Sequence, residues 1–251
     1  MKKGFRIIKF KKDKPIFEIK DVSKAYDGRP ILKKISMVVH SGEIVGMLGA
    51  NGTGKTTMFQ MCTGETSIDA GKIKINNKDI HDLPMHERAN SGLAYVPQQR
   101  NHFDMSVKEN ILGLSQLCIK GEENQNRITE RLLEEFNLTH LKNLNASVLS
   151  GGESRRLAMS KVMLNGPKVV LLDEVLAALD PIVIQDIQKY ILKIQSFGCA
   201  ILITDHNLRS LFDIVDRAYV LGEQSIIAEG SPTELLKSSK AVEQYFGTQF
   251  K

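Results

Sequence analysis

Apolar and polar residues alternate in several short stretches of the N-terminal third, a pattern typical of strands that bury one face. Residues 16–22 and 31–39 follow it, and residues 72–76 follow it into an Asn-Asn turn. Residues 44–49 are apolar almost without a break, as in a strand covered on both faces. A glycine-rich stretch comes next, and residues 56–62 can continue from it as a helix. The sequence therefore predicts half-buried and fully buried strands in this third.

The middle of the chain has a different pattern. From about residue 106 to residue 165 the strand signals disappear. Apolar residues instead recur at helical spacing in residues 127–136 and 153–164. We interpret residues 106–165 as a helical subdomain inserted into the main sheet.

Strands and helices alternate again in the C-terminal third. Residues 169–173 and 200–204 are short apolar runs, and residues 181–197 between them have helical periodicity. Residues 219–221 and 225–228 predict a hairpin before the last helices. This alternation is typical of the α/β class with a largely parallel core sheet.

Composition is consistent with a folded protein that has no membrane span. The 251 residues are 42% apolar and 25% charged, enough to bury a core in one large domain or two small ones. No stretch approaches about 18 uncharged apolar residues, and the N-terminus has no signal-peptide pattern. Cys62, Cys118 and Cys199 are too widely spaced for a disulfide framework or a zinc site. We therefore expect a cytoplasmic protein in a reducing compartment.

The net charge of +5 is concentrated at the N-terminus. Residues 1–14 carry seven bases and one acid, or +6, so the other 237 residues sum to −1. A near-neutral body gives no support for nucleic-acid binding. We predict that residues 1–15 form a basic arm, either solvated and partly disordered or in contact with an anionic membrane surface.

Residues 49–56 read Gly-Ala-Asn-Gly-Thr-Gly-Lys-Thr and match the phosphate-binding pattern GxxxxGK[ST] between a predicted strand and a predicted helix. Gly52 and Gly54 can adopt the backbone angles that point successive N–H groups at an anion. Lys55 adds a charge for the β- and γ-phosphates, and the Thr56 hydroxyl is placed to bind Mg²⁺. The candidate residues of this loop are Gly49, Ala50, Asn51, Gly52, Thr53, Gly54, Lys55, Thr56 and Thr57.

A phosphate-binding loop of this kind works with a carboxylate site. The predicted strand 169–173 supplies it, because its four apolar residues end in Asp173 and Glu174. Asp173 would hold Mg²⁺ through its water shell, and Glu174 would polarise the attacking water. Together the two motifs predict hydrolysis of a nucleoside triphosphate.

The stretch Leu149-Ser150-Gly151-Gly152-Glu153 resembles the signature motif of the ATP-binding cassette (ABC) ATPases. It offers a hydroxyl, free N–H groups and the positive end of a helix dipole. Ser150 and Glu153 also fit a simple capping box, and both interpretations can hold. In this family the motif faces the nucleotide of the partner subunit, so the resemblance implies a head-to-tail homodimer with two ATP at its interface. The residues that would act in trans are Ser150, Gly151, Gly152, Glu153 and Asp180.

The resemblance covers nearly the whole chain, in the order of the family. Tyr26 matches the aromatic residue that stacks on adenine, and Gln98 matches the glutamine that contacts Mg²⁺. Asp180 matches the loop that meets the opposite phosphate loop, and His206 matches the histidine that contacts the γ-phosphate. Singly, Tyr26 could pack at a strand edge, Gln98 could be a loop amide, and His206 could cap a helix. The resemblance implies an ATP- and Mg²⁺-dependent hydrolase over residues 16–251, with a P-loop NTPase core, an antiparallel β subdomain and the helical subdomain.

Several stretches resemble the lipopolysaccharide-export subfamily: residues 203–209, the Asp180-Pro-Ile step, the run that ends at Arg156, and the tail 242–250. The resemblance implies two transmembrane permease subunits as partners and a location on the cytoplasmic face of the inner membrane. Phe103 follows Gln98 and would contact the permeases, or else it is a core aromatic.

Two positions depart from the family. Val175 replaces the proline that usually follows the catalytic glutamate, which could shift the backbone at Glu174. Ser154 stands where the export ATPases usually carry arginine.

Three alternatives remain open at this point. The nucleotide site does not distinguish an export motor from the same motor on another permease, such as one for branched-chain amino acids. ABC proteins that act on DNA or ribosomes resemble paired cassettes or a cassette split by a coiled coil, whereas this chain has one cassette without sustained heptads. A regulatory cassette that binds ATP without hydrolysis has only Val175 in its favour.

Overall fold

The structure is a computed structural model that describes residues 14–99, 102–238 and 241–246. The predicted basic arm therefore lies almost wholly outside the described residues. Within them, no helix combines the length and hydropathy that a membrane crossing requires.

Four strands form an antiparallel sheet in the order β2-β1-β4-β5. Strands β1 and β2 extend past the predicted segment and turn at Asp27 and Gly28, whose positive φ of 48° and 76° suits a tight hairpin. The predicted turn after the third strand is confirmed, because Asn76 and Asn77 have φ of 49° and 62°. The bounds are β1 Phe17–Tyr26, β2 Arg29–Val39, β4 Ala70–Ile75 and β5 Lys78–Asp79.

Six strands form the second sheet in the order β10-β9-β3-β8-β7-β6. Neighbouring strands are parallel, except that the edge strand β10 pairs with β9 in the antiparallel sense. Strands β3, β7 and β8 are buried at every residue, as their apolar runs predict. Strand β6 was not predicted, because four residues are too few to show a period. The bounds are β3 Ile44–Gly49, β6 Leu93–Val96, β7 Val169–Asp173, β8 Ala200–Thr204, β9 Arg217–Leu221 and β10 Ile226–Gly230.

Helices connect the parallel strands, and three of them (α3, α4 and α5) fall inside the segment 106–165 that is predicted to be helical. Helix α3 was not predicted as a separate helix, although Ser106 and Glu109 form a capping box at its start. The bounds are α1 Lys55–Thr63, α2 Met85–Asn90, α3 Val107–Cys118, α4 Glu122–Glu135, α5 Gly151–Val162, α6 Pro181–Ser196, α7 Leu208–Phe212 and α8 Pro232–Leu235.

The core lies on both faces of the parallel sheet. On one face Met47 and Leu171 pack with the antiparallel sheet and with Phe59 of α1. On the other face Leu48 and Leu172 pack with α3 to α6. Because side chains alternate along a strand, each buried strand contributes to both clusters. The helical segment thus shares a core with the sheet. The division of the chain into arm, ATPase domain and subdomain stays a prediction.

Candidate nucleotide site

The glycine-rich loop joins the end of β3 to the start of α1, as predicted. Gly52 and Gly54 have φ of 81° and 97°, the left-handed conformation that favours glycine. A Cβ at Gly54 would also lie 2.8 Å from Cδ2 of Leu32 in β2. The loop is therefore held close to the antiparallel sheet, with its N–H groups at the start of a helix.

Lys55 is almost fully buried and turns back over the loop. Its Nζ donates to the carbonyl oxygens of Gly49 at 2.7 Å and of Ala50 at 3.0 Å. Burial lowers the pKa of Lys55, and the nearby carboxylates of Glu174 and Asp173 oppose that shift. The ammonium group is thus positioned by the loop, close enough to both predicted acids to interact with their charges.

Asp173 ends β7 and is held by two hydroxyl groups. Its Oδ1 accepts a hydrogen bond from Thr204 Oγ1 at 2.6 Å, and its Oδ2 accepts one from Tyr95 Oη at 3.2 Å. Burial raises the pKa of Asp173, and these two hydrogen bonds act against the rise. Sequence reasoning missed both partners. The parallel register, which pairs Asp173 with Thr204, explains the first contact.

Glu174 contacts both other residues that are predicted to be catalytic. Its Oε2 accepts a hydrogen bond from Gln98 Nε2 at 2.5 Å, and its Oε1 lies 2.6 Å from His206 Nε2. The alternative of His206 as a helix cap is wrong, because Asn207 caps α7. The three residues follow strands β6, β7 and β8, whose carboxyl ends meet at one edge of the sheet.

The departure at Val175 leaves this arrangement in place. Val175 is fully buried in the core, where it belongs to the cluster that contains Leu172. Glu174 itself has φ of +50°, and its N–H donates to the carbonyl oxygen of Thr204 at 2.9 Å. Asp205 adds a hydrogen bond from the N–H of Leu176 at 2.8 Å. The turn after β7 is therefore held by β8 rather than by a proline ring.

A groove of about 710 Å³ borders the site, and Thr56, Gln98 and Asp173 all line it. The described residues contain no cluster of three or more His, Cys, Asp or Glu side chains that could hold a metal ion. One carboxylate, one hydroxyl and one amide fit Mg²⁺, which keeps several waters and shares phosphate oxygens. The donor set therefore suits Mg²⁺ bound together with a nucleotide.

The signature segment forms the start of α5. The predicted capping box is confirmed, since the Ser150 N–H donates to Glu153 Oε2 at 2.8 Å and the Glu153 N–H donates to Ser150 Oγ at 3.4 Å. Gly152 packs so tightly on α6 that a Cβ would lie 2.6 Å from Val183 Cγ1. Arg155 Nη1 donates to the Gln98 carbonyl oxygen at 2.7 Å, a link that no sequence signal indicated.

The structure also gives the surroundings of three further predicted residues. Tyr26 ends β1 and is 43% exposed. Asp180 caps α6 by accepting hydrogen bonds from two backbone N–H groups. Phe103 is 53% exposed, so the alternative of a core aromatic is wrong. Its ring centroid lies 5.7 Å from the Nζ of Lys161, which lines the groove.

Ser154 has a partner of its own. His102 Nε2 lies 2.8 Å from Ser154 Oγ and 3.1 Å from the Ser154 carbonyl oxygen. The amide of Asn110, meanwhile, binds both the N–H and the carbonyl oxygen of Phe103, at 2.9 and 3.0 Å. His102 is thus anchored to α5, and Phe103 is anchored to α3.

A phosphate loop between a buried strand and a helix, with acids after another parallel strand of the same sheet, defines a P-loop nucleotide hydrolase. The sequence profile of the ABC transporter family matches residues 32–177, so the chain belongs to that family and is an ATP-binding subunit that hydrolyses ATP. The predicted family and fold class are confirmed.

Similar proteins align with this chain over almost its full length. The chain is 41% identical over 235 residues to the lipopolysaccharide export system ATP-binding protein LptB of Escherichia coli (strain K12), covering 92% of this chain and 97% of that protein. It is 40% identical over 238 residues to the protein of that name from Haemophilus influenzae, covering 94% and 99%. The ADP conformation of MJ1267, an ATP-binding cassette of an ABC transporter, superposes with a TM-score of 0.82 at 28% identity, covering 94% and 100%.

Proposed function

We propose that this chain is the ATP-hydrolysing motor of a transporter that extracts lipopolysaccharide from the inner membrane for export to the outer membrane. It works as a homodimer on two permease subunits at the cytoplasmic face. The observation that carries this proposal is the 41% identity to an export ATPase over 97% of that protein's length. The aligned region spans 92% of this chain, so the similarity is not confined to the nucleotide site.

The described contacts support a division of roles within the site. Lys55 and the N–H groups of the glycine-rich loop bind the phosphates, and Thr57 donates to a phosphate oxygen. Glu174 orients the attacking water, and His206, already in contact with Glu174, senses the γ-phosphate. Tyr26 stacks on the adenine.

Thr56, Gln98 and Asp173 would hold Mg²⁺, with Asp173 acting through water. The Gln98 amide nitrogen is used by Glu174, which leaves its amide oxygen as the atom suited to a cation. When bound, the metal neutralises charge on the phosphates during transfer.

We assign closure of the homodimer to the signature segment. Ser150, Gly151 and Gly152 at the start of α5 present a hydroxyl and N–H groups to the γ-phosphate on the partner's phosphate loop, and Asp180 meets that loop. ATP then favours the closed dimer because it contacts both subunits, and phosphate release reopens it.

The groove beside the site is the surface that we assign to the permeases. Met85, Leu114 and Cys118 give it an apolar wall, and Gln98 and Asp173 line its end at the nucleotide site. Phe103 stands beside it, exposed and in contact with Lys161. A permease helix in this groove would touch the segment that carries Gln98, so its movement would follow the ATP cycle.

A tagged pull-down from detergent-solubilised native membranes tests the proposal. We expect two permease subunits of the lipopolysaccharide-export type to copurify with the wild-type chain and to be lost with Phe103→Ala. Phe197→Ala is the matched control, because Phe197 is 47% exposed but precedes β8, at the opposite edge of the sheet. Capture of an amino-acid permease, or of ribosomes without a membrane protein, would contradict the transport assignment.

A further inference from the structure

An ion pair holds the end of β1 where Tyr26 lies. Lys24 Nζ donates to Asp69 Oδ1 at 2.8 Å, and Asp69 Oδ2 accepts a hydrogen bond from the Ala25 N–H at 2.7 Å. The Asp69 N–H donates in turn to the Ser23 carbonyl oxygen at 3.0 Å. Asp69 therefore forms hydrogen bonds with all three residues directly before Tyr26. Its hydrogen bonds from Lys24 and Ala25 also lower the pKa of Asp69, so it is ionised at neutral pH.

The ion pair is positioned to act on the Tyr26 ring. Lys24 Nζ lies 5.3 Å from the ring centroid, and the Lys24 residue is only 8% exposed. A cation near an aromatic ring favours the orientation in which the ring faces it. Because Tyr26 remains 43% exposed, part of the ring stays open to another planar group.

The strand opposite Tyr26 contacts the phosphate loop. Tyr26 pairs with Arg29 across the hairpin, and Ile31 follows two residues after Arg29. A Cβ at Gly54 would lie 3.1 Å from Ile31 Cγ2, so this end of β2 touches the loop. A nucleotide bound by its phosphates therefore has its base within reach of this hairpin.

We propose that Lys24 and Asp69 are positioning residues for the base of the nucleotide: their ion pair holds the Tyr26 ring in the orientation that stacks on the base. The proposal rests on the stacking role proposed for Tyr26. A ring that is already oriented loses less side-chain freedom when ATP binds, so the pair strengthens binding of the nucleoside without touching the phosphates.

Binding of ATP and of inorganic tripolyphosphate to the whole chain separates this role from a structural one. We expect Asp69→Asn and Lys24→Met to raise the Kd of ATP about fivefold, or ~1 kcal/mol. The Kd of tripolyphosphate, which has no base, should stay unchanged. Asp79→Asn is the matched control, because Asp79 pairs with Lys72 and Lys74 on the same sheet but lies on β5, away from Tyr26.

Two results would overturn the proposal. One is an unchanged Kd of ATP in both variants. The other is an equal loss for ATP and tripolyphosphate, which would show that the ion pair supports the whole loop. Adding Asp69→Asn to a Tyr26→Ala chain should cause no further loss, since the pair acts through the ring. If Tyr26→Ala alone leaves ATP binding unchanged, the stacking role of Tyr26 fails, while ATP binding by the phosphate loop still stands.

Discussion

Glu174 and His206 lie in direct contact, with Oε1 of the glutamate 2.6 Å from Nε2 of the histidine. They follow β7 and β8, which are neighbours in the parallel sheet. Gln98, which follows β6, holds the other oxygen of Glu174. The carboxylate that we assign to the attacking water is thus oriented by residues from both adjacent strands.

Glu174→Gln is expected to keep ATP binding and to lower turnover by at least about 100-fold. An amide keeps the shape of the side chain but cannot take a proton, and general-base catalysis contributes roughly 10²–10⁴-fold. Because ATP then persists at the interface, the variant should accumulate as a dimer. Phosphate release, nucleotide binding and size-exclusion chromatography with ATP measure the three effects. Wild-type turnover in this variant would contradict the assignment of Glu174.

Lys55→Ala is expected to abolish nucleotide binding. Lys55 Nζ bonds the carbonyl oxygens of Gly49 and Ala50, so the substitution removes both the charge for the phosphates and two bonds that shape the loop. Titration with a fluorescent ATP analogue measures the loss. Lys189→Ala is the control, since the Lys189 side chain is 75% exposed on α6. Unchanged affinity in Lys55→Ala would mean that phosphate does not bind at this loop.

Gly152→Ala is expected to destabilise the protein by about 1–3 kcal/mol, because the new methyl group would lie 2.6 Å from Val183 Cγ1. Gly113→Ala in α3 is the matched control. A Cβ there has nothing within 4 Å, so replacing a helical glycine should stabilise by about 0.4–1 kcal/mol. Thermal unfolding of the chain without nucleotide should give shifts of opposite sign. Equal shifts would contradict the close packing of α5 on α6.

Lys161→Met is expected to raise the melting temperature at pH 7 by about 2–4 °C. Burial lowers the pKa of Lys161 to about 8, against 10.5 for an ordinary lysine. Between those two pKa values the unfolded chain binds more protons than the folded chain. The charged Lys161 therefore lowers the free energy of unfolding by its full amount below pH 8, and by less as the pH rises.

The advantage of Lys161→Met should therefore shrink between pH 8 and pH 10. Thermal unfolding over this range, compared with the exposed control Lys189→Met, tests it. If Lys161→Met raises the melting temperature equally at pH 8 and at pH 10, the effect comes from packing rather than from the charge.

The sequence alone predicted the features that depend on neighbouring residues. Unbroken apolar runs predicted the buried strands β3, β7 and β8, because a strand covered on both faces leaves no polar period. The glycines of the phosphate loop and the Ser150–Glu153 capping box were also predicted, since backbone conformation and capping are decided within a few residues.

Only the tertiary structure decided which of these residues meet. Gln98, Glu174 and His206 are far apart along the chain, and only the order of β6, β7 and β8 in the sheet brings them into contact. The hydroxyls of Tyr95 and Thr204 on Asp173 follow from that strand order and register. The pairing of distant strands depends on how two sheets and a set of helices share one core, and no local pattern of residues encodes it.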